Sequence, residues 1–311
     1  MYNYNKLSEE FLQYKKFLGY KYKSDSIIIK EIVKYLNDFN INNITKEVIE
    51  NYVRLNENLS QNTIARNIST FKEFCKYLKL QGINTYQIPN NIYKKEKRKY
   101  KAYIYTHDEI KKIYSNLDIV FSYHYSYYHK TIYQIIIRIL YQTGMRIGEV
   151  LNLTIDDYDS YNRLFHLKQT KNNQERIIVL TEQLNNLIND YVIKFNYKFK
   201  LNNKLFDISL TSIENYFDKL LNLSKIIKTD NGPRIHDLRH TFIVHLIEKF
   251  INEGMDLNVM LPIIQAHIGH QSLNSLSYYF QVTNDLLNIV NKISEEKLGY
   301  LIPKMEGDEH E

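Results

Sequence analysis

Residues 164–180 read LFHLKQTKNNQERIIVL, and here the chain changes its period. Two apolar runs, 164–168 and 176–180, have the length and composition of strands. The polar piece QTKNNQE joins them as a hairpin, with Lys171 near its tip. On both sides of this hairpin, apolar residues recur at helical spacing. Upstream, TIYQIIIRILYQTG (131–144) predicts a strongly buried helix that stops at Gly144, followed by a short helix through Ile147, Val150 and Leu151. Downstream, helices are expected over 184–195, 210–223 and, after Gly232 and Pro233, about 236–251. On the last of these, Leu238, Phe242, Leu246 and Phe250 recur every four residues and define its expected buried stripe. A single hairpin among helices predicts a mainly α fold with a small β-sheet. The scarcity of glycine (9) and proline (4) in the 311 residues agrees.

The first ninety residues read as a separate set of short helices. Leu7, Phe11, Tyr14 and Leu18 keep helical spacing, as do Ile28, Ile32, Tyr35, Leu36 and Phe39. Thr45 resembles a cap, Ser60 precedes the helix carrying Ile64, Ile68, Phe71, Phe74 and Leu78, and Gly82 with Pro89 closes the set. The implied organisation is a helical domain over 1–92, a basic linker over 93–104 and a second domain over 105–311. Thr106 with Glu109 is a capping-box signal for the first helix of that second domain. FSYHYSYYHK (121–130) shows no period and reads as a loop. Near the end, Thr283 or Asn284 caps a helix whose apolar face is Leu286, Leu287, Val290 and Ile293.

Composition narrows the function. The only cysteine, Cys75, falls among core-spaced residues, so a disulfide framework is excluded and a reducing cytoplasm is the natural compartment. Met1–Glu10 is too polar for a signal peptide, and no apolar run approaches the ~18 residues of a membrane span. Hence neither a membrane nor secretion is expected. The net charge is +6, and KKEKRKYK (94–101) carries six positive residues against one negative, so +5 of it lies there and +1 elsewhere. Lys94, Lys95, Lys97, Arg98, Lys99 and Lys101 thus form either a solvated linker or a strap on a polyphosphate such as DNA.

Five polar stretches interrupt apolar segments: TGMRIGE (143–149), QTKNNQER (169–176), HDLRH (236–240), HIGH (267–270) and SYYF (277–280). Singly, each has a bland reading as a cap, a solvated tip or a helix end. In HDLRH the two histidines, four apart, would also suit a zinc ion, while His236 and Arg239, three apart, would suit a phosphate. Together the stretches supply Arg146, Lys171, His236, Arg239, His270 and a late tyrosine, a set matched to one anionic centre. A phosphodiester under attack becomes a dianion whose oxygens need fixed positive donors. Its leaving oxygen needs a proton, and a phenol with a pKa near ~10 needs nearby cations to act as nucleophile. No step demands a metal, ATP or another cofactor.

In order and spacing these stretches resemble the tyrosine recombinases of the integrase family. TGMRIGEV resembles that family's first box, KNNQERIIVL its lysine hairpin, HDLRHTF its HxxR box, and IGHQSLNSLSYY its Gly-His followed nine residues later by tyrosine. The resemblance implies Tyr279 as nucleophile, Arg146 and Arg239 as phosphate clamps, Lys171 as general acid, His236 as base or donor and His270 as donor. Glu149 and His240 would support them from behind. Lys168 and Tyr278 are near neighbours of the lysine and the nucleophile. Ile268 stands where the family usually has leucine, the hairpin is polar where many members have glycine, and SLSYY lacks a frequent threonine pair. The resemblance spans the chain, with the N-terminal helices similar to a SAM-like core-binding domain, and transposon-borne integrases are the most similar subgroup. It implies a site-specific recombinase that joins strands through a 3′-phosphotyrosine. Its partner would be double-stranded DNA with inverted-repeat core sites, bound as a homotetramer with possible accessory DNA-bending proteins in the nucleoid. The alternatives are a metal-dependent phosphodiesterase or nuclease built on His236 and His240, and a catalytically silent DNA-binding protein of the same fold.

Overall fold

The computed structural model describes residues 2–90, 93, 102–117, 119, 126–168, 175–229 and 232–269. The chain divides into two compact units, 1–99 and 100–311. Lys171, His270, Tyr278, Tyr279, the 94–101 basic run and the expected C-terminal helix lie outside the described residues.

The N-terminal unit is helical: α1 Tyr4–Phe17, α2 Lys23–Asp38, α3 Lys46–Leu55 and α4 Gln61–Leu80. Its core is aromatic and aliphatic, with Phe11, Ile29, Leu36, Phe71 and Phe74 fully buried. Ser60 caps α4 by accepting from the Thr63 N–H, as expected. Thr45 does precede α3, but its hydroxyl makes no cap bond; it hydrogen-bonds Glu47 instead and lowers that carboxyl below its usual range. Cys75 is buried in this core, and burial pushes its thiol up to about 12, so it is an inert packing group.

In the second unit, α5 His107–Asn116 begins with the expected reciprocal box between Thr106 and Glu109. The central α6 Tyr127–Thr143 buries Ile132, Tyr133, Ile135, Ile136, Ile137, Ile139 and Leu140, which cover most of its circumference. It therefore packs on both α8 (Glu182–Lys194) and α11 (Asp237–Asn252). It starts one turn earlier than the sequence suggests. Ser126 caps it through the His129 N–H, and the Tyr128 ring meets Phe195 edge-on at 5.0 Å, which draws the aromatic stretch into the helix. The short α7 is Ile147–Val150, α9 is Asn196–Asn202, α10 is Leu210–Leu223 and α12 is Leu257–Ile268.

The hairpin forms as β2 Leu164–Leu167 and β3 Arg176–Val179, antiparallel, with Phe165 opposite Ile178 and Leu167 opposite Arg176. Phe165 and Ile178 point into the core, and Ile177 and Val179 point out, as the two-residue period requires. A two-residue strand, β1 Tyr158–Asp159, adds to β2. The expectation of a mainly α fold with a small sheet holds. The expected stripe on α11 is corrected: its buried residues are Asp237, Leu238, Arg239, Thr241, Ile243, Val244, Ile247 and Ile251, while Phe242, Leu246 and Phe250 are half-buried. A step of four residues overshoots a helical turn by about 40°, so a strict four-residue repeat drifts off the buried face.

Candidate active site at the end of α12

Two glycines bring the elements of the site together. Gly144 ends α6 in the left-handed region, φ 62°, and a Cβ there would overlap the Phe242 ring of α11. The α6 end and α11 can approach only because that atom is missing. Just before it, the Thr143 hydroxyl bonds the Ile139 carbonyl, and the Thr143 carbonyl lies 2.9 Å from His267 Nε2. Gly269 ends α12 in the same left-handed region, φ 64°, with its missing Cβ facing the Arg176 guanidinium at 2.9 Å.

The last carbonyls of α12 have no partners within the helix and carry the negative end of its dipole. Three arginines from three different elements take three of them in succession. Arg176 of β3 donates Nε–H to His267 O at 3.0 Å, Arg239 of α11 donates to Ile268 O at 2.7 Å, and Arg146, which caps α7, donates to Gly269 O at 3.2 Å. Arg239 also donates to Gly144 O and is 2 % exposed. Leu238 and its neighbours hold α11 in the core, but Arg239 is itself part of that packing and joins the α6, α11 and α12 ends.

Glu149 organises two of the three guanidinium groups. Its carboxylate accepts from Arg146 at 2.9 Å and from both nitrogens of the Arg176 fork at 3.2 and 2.7 Å, and from the Arg146 backbone N–H at 2.9 Å. Burial alone would raise this carboxyl; the bonds from Arg176 and Arg146 outweigh it and hold the group below the usual carboxylate range. Three arginines against one carboxylate leave a surplus of two positive charges among these four residues. His236, at the start of α11, is pushed below the ordinary imidazole value by burial first and then by Arg239 and Arg146, with Glu149 opposing. It is therefore neutral at pH 7 and able to accept a proton. His240 meets the His236 ring nearly edge-on at 5.1 Å. His267 is likewise lowered, by burial and by Arg176 and Arg239, against the Thr143 carbonyl.

Of the residues singled out in the sequence, Arg146, Glu149, His236 and Arg239 come together here with His240 alongside. Sequence reasoning missed Arg176 and His267. Both lay within quoted stretches, QTKNNQER and HIGH, but an arginine opening a strand and a histidine ending a helix carry no signal until the two elements meet.

Comparison with known proteins decides the family. A model of the phage integrase family matches residues 104–285, and a model of the phage integrase N-terminal SAM-like domain matches residues 22–82. The chain belongs to the phage integrase family. It is 23% identical over 280 residues to a tyrosine recombinase of Pseudothermotoga lettingae, an alignment covering 86% of this chain and 90% of that one. To tyrosine recombinase XerA of Saccharolobus solfataricus it is 31% identical over 156 residues, 50% of this chain and 48% of that one. Among solved structures it is similar to the XerH site-specific recombinase bound to difH substrate (TM-score 0.59, 19% identity, covering 94% of this chain and 85% of that one). It is also similar to the Tn1549 transposon integrase in complex with transposon right-end DNA (TM-score 0.60, 18% identity, 94% and 99%). The expectation of a tyrosine-type site-specific recombinase thus holds, and the metal-dependent and silent alternatives gain no support. Among the described residues no helix is long and apolar enough to cross a membrane.

Proposed function

We propose that this chain cuts and rejoins DNA at specific sites, with Tyr279 as the nucleophile. The observation that carries the reading is the set of three arginines fixed on successive carbonyls 267–269, immediately before His270. That arrangement holds a positive surplus on carbonyls 267–269, and in the sequence His270 and a tyrosine nine residues later follow directly. Tyr279 attacks the phosphorus, its proton passing to the neutral His236. Arg146, Arg239 and His270 hold the non-bridging oxygens as charge develops. The bond to the 5′ oxygen breaks as Lys171 gives that oxygen a proton, leaving a 3′-phosphotyrosine and a 5′ hydroxyl. A hydroxyl from the partner strand reverses the step. One phosphodiester is exchanged for another, so the chemistry needs neither ATP nor a metal.

In this reading residues 1–92 bind core DNA, the basic residues Lys94, Lys95, Lys97, Arg98, Lys99 and Lys101 cross its backbone within the 93–104 linker, and residues 105–311 carry the chemistry. Two protomers occupy each inverted-repeat core site and four form the synaptic complex, with the helix after Thr283 docking on a neighbour and accessory DNA-bending proteins assisting. The similarity to a transposon integrase supports a mobile-element role in the cytoplasmic nucleoid. The test is a nicked suicide substrate in EDTA. The wild-type chain should form a covalent adduct, and Tyr279→Phe should bind the same DNA with no adduct at all. Adduct retained by Tyr279→Phe and lost in Tyr278→Phe would move the nucleophile by one residue, and dependence on divalent metal would sink the reading.

A further inference from the structure

On the face of α11 beyond the active-site turn, a second group of side chains converges with no part in the proposed chemistry. His245 and Glu248 lie three residues apart on α11, and His107 is the first residue of α5. One ligand-type atom from each lies within 4.8 Å of the other two. The geometry points to a site for one divalent zinc ion held by His107, His245 and Glu248, pinning the start of α5 to α11.

Four observations support the site. His107 Nε2 stands 3.5 Å from Glu248 Oε2. That is long for a hydrogen bond but close to the ~3.3 Å between neighbouring ligands of a tetrahedral ion with bonds near ~2.0–2.1 Å. The other two pairs lie within 4.8 Å and would draw in to the same ~3.3 Å spacing around the ion. His107, whose side chain is 67% exposed, stacks 3.9 Å over the His245 ring. His245 Nδ1 meets the Tyr141 hydroxyl at 2.9 Å, the kind of outer partner that orients a ligating imidazole, and the Tyr105 backbone also bonds this ring, so the ion would replace one of these two partners. Two imidazoles and one carboxylate are a donor set that suits zinc, and the group lines a cleft of about 560 Å³ with room for water as a fourth ligand. Lys249, the cation on that cleft, is turned towards Glu253 at 3.8 Å.

The consequence is mechanical. The ion would fix the turn where the chain enters the second unit against the helix that carries His236 and Arg239. The experiment uses the full chain, stripped with chelator, desalted and titrated with Zn²⁺ by calorimetry, with thermal melts in parallel. One equivalent should bind, and the melting temperature should rise with the logarithm of free Zn²⁺. His107→Ala and Glu248→Gln should each lose both effects, and Tyr141→Phe should weaken binding by ~10-fold while keeping the stoichiometry. Circular dichroism checks that each variant is folded. Absence of binding by the wild type, or an unchanged equivalent in His107→Ala, would overturn the site. Loss of the equivalent in His240→Ala with retention in His107→Ala would move the ion to the HDLRH helix and equally overturn it. Loss of the adduct in Tyr279→Phe, read with and without EDTA, addresses only the proposed function, so the two readings fail separately.

Discussion

The two units of the chain bury cations in different ways. In the N-terminal unit Lys15 is 9 % exposed, pairs with Glu73 at 2.8 Å and lies 5.4–5.6 Å from the rings of Phe11, Tyr20 and Tyr22. Glu73 is shared with Lys76 and remains about one-third open to solvent, so this pair is a snorkelling amine at the rim of an aromatic core. In the second unit, Arg239 and Arg176 are anchored on main-chain carbonyls of a helix end, and Glu149 is clasped by two guanidinium groups. Desolvating charge is costly, and a well-packed apolar replacement would often serve stability as well. A rim lysine thus reports on packing. A cluster of oriented guanidinium groups joins three helix ends and concentrates positive charge at one place.

Changing the arginines should separate the units most. Arg239→Ala should reduce adduct formation by about a hundred- to a thousandfold, the effect of losing one ~3–4 kcal/mol oxyanion-type donor. It should also lower the melting temperature of the second unit, because it orphans the Gly144 and Ile268 carbonyls. Arg239→Lys restores charge without the planar fork and should recover stability more than rate. A rate within threefold of wild type for Arg239→Ala would break the contrast. Next, Arg176→Met should destabilise by about 3 kcal/mol, at the low end for a broken buried pair because Arg146 still faces Glu149. Its apo fold should weaken before its DNA affinity does, and urea denaturation beside gel-shift titration would show whether the order is reversed.

A smaller effect concerns pH. His236 faces Arg239, Arg146 and Glu149, and His267 faces the Thr143 carbonyl, Arg176 and Arg239; both imidazoles are lowered in the folded state. Below about pH 6.5 the unfolded chain takes up protons on them and the folded chain does not, so stability present above that pH is lost as the pH falls. Denaturation midpoints at pH 7.5 and 5.5 should show this loss, and His236→Gln should reduce it. A steeper loss in the variant would contradict the assignment. The adduct rate should stay flat down to about pH 6.5 and fall only below it. Smallest of all, Lys15→Met should cost ~1 kcal/mol or less and leave the adduct rate unchanged, since Glu73 keeps Lys76. A large loss of cleavage in Lys15→Met would erase the distinction between the units.

Much of this was legible before folding. The change of period at 164–180 marked the hairpin, because strand alternation and helical spacing are imposed by local backbone geometry. Gly144, the Thr106–Glu109 box and Ser60 announced helix ends for the same reason. Four of the site residues, Arg146, Glu149, His236 and Arg239, could be chosen from motif order. Features that depend on contact between distant segments were not legible. The first turn of α6 needed Phe195, the two-residue β1 was too short to show a period, and Pro262 inside α12 hid that helix. The Thr45 position marked the start of α3, but the side-chain cap bond expected there is not made.

The sequence by itself determined the fold class, the order of the chemical groups and the positions where glycine alone fits a chain reversal. Periodicity, capping and backbone conformation are short-range properties, and each is written into a few neighbouring residues. Tertiary structure alone decided what the arginines hold. Residues 146, 176 and 239 meet at the end of α12 because the chain brings the α6–α7 junction, β3 and α11 to three neighbouring carbonyls. Which donors satisfy those carbonyls, and how much each charge is desolvated, follows from the packing of segments up to 123 residues apart in sequence, and no local pattern encodes it.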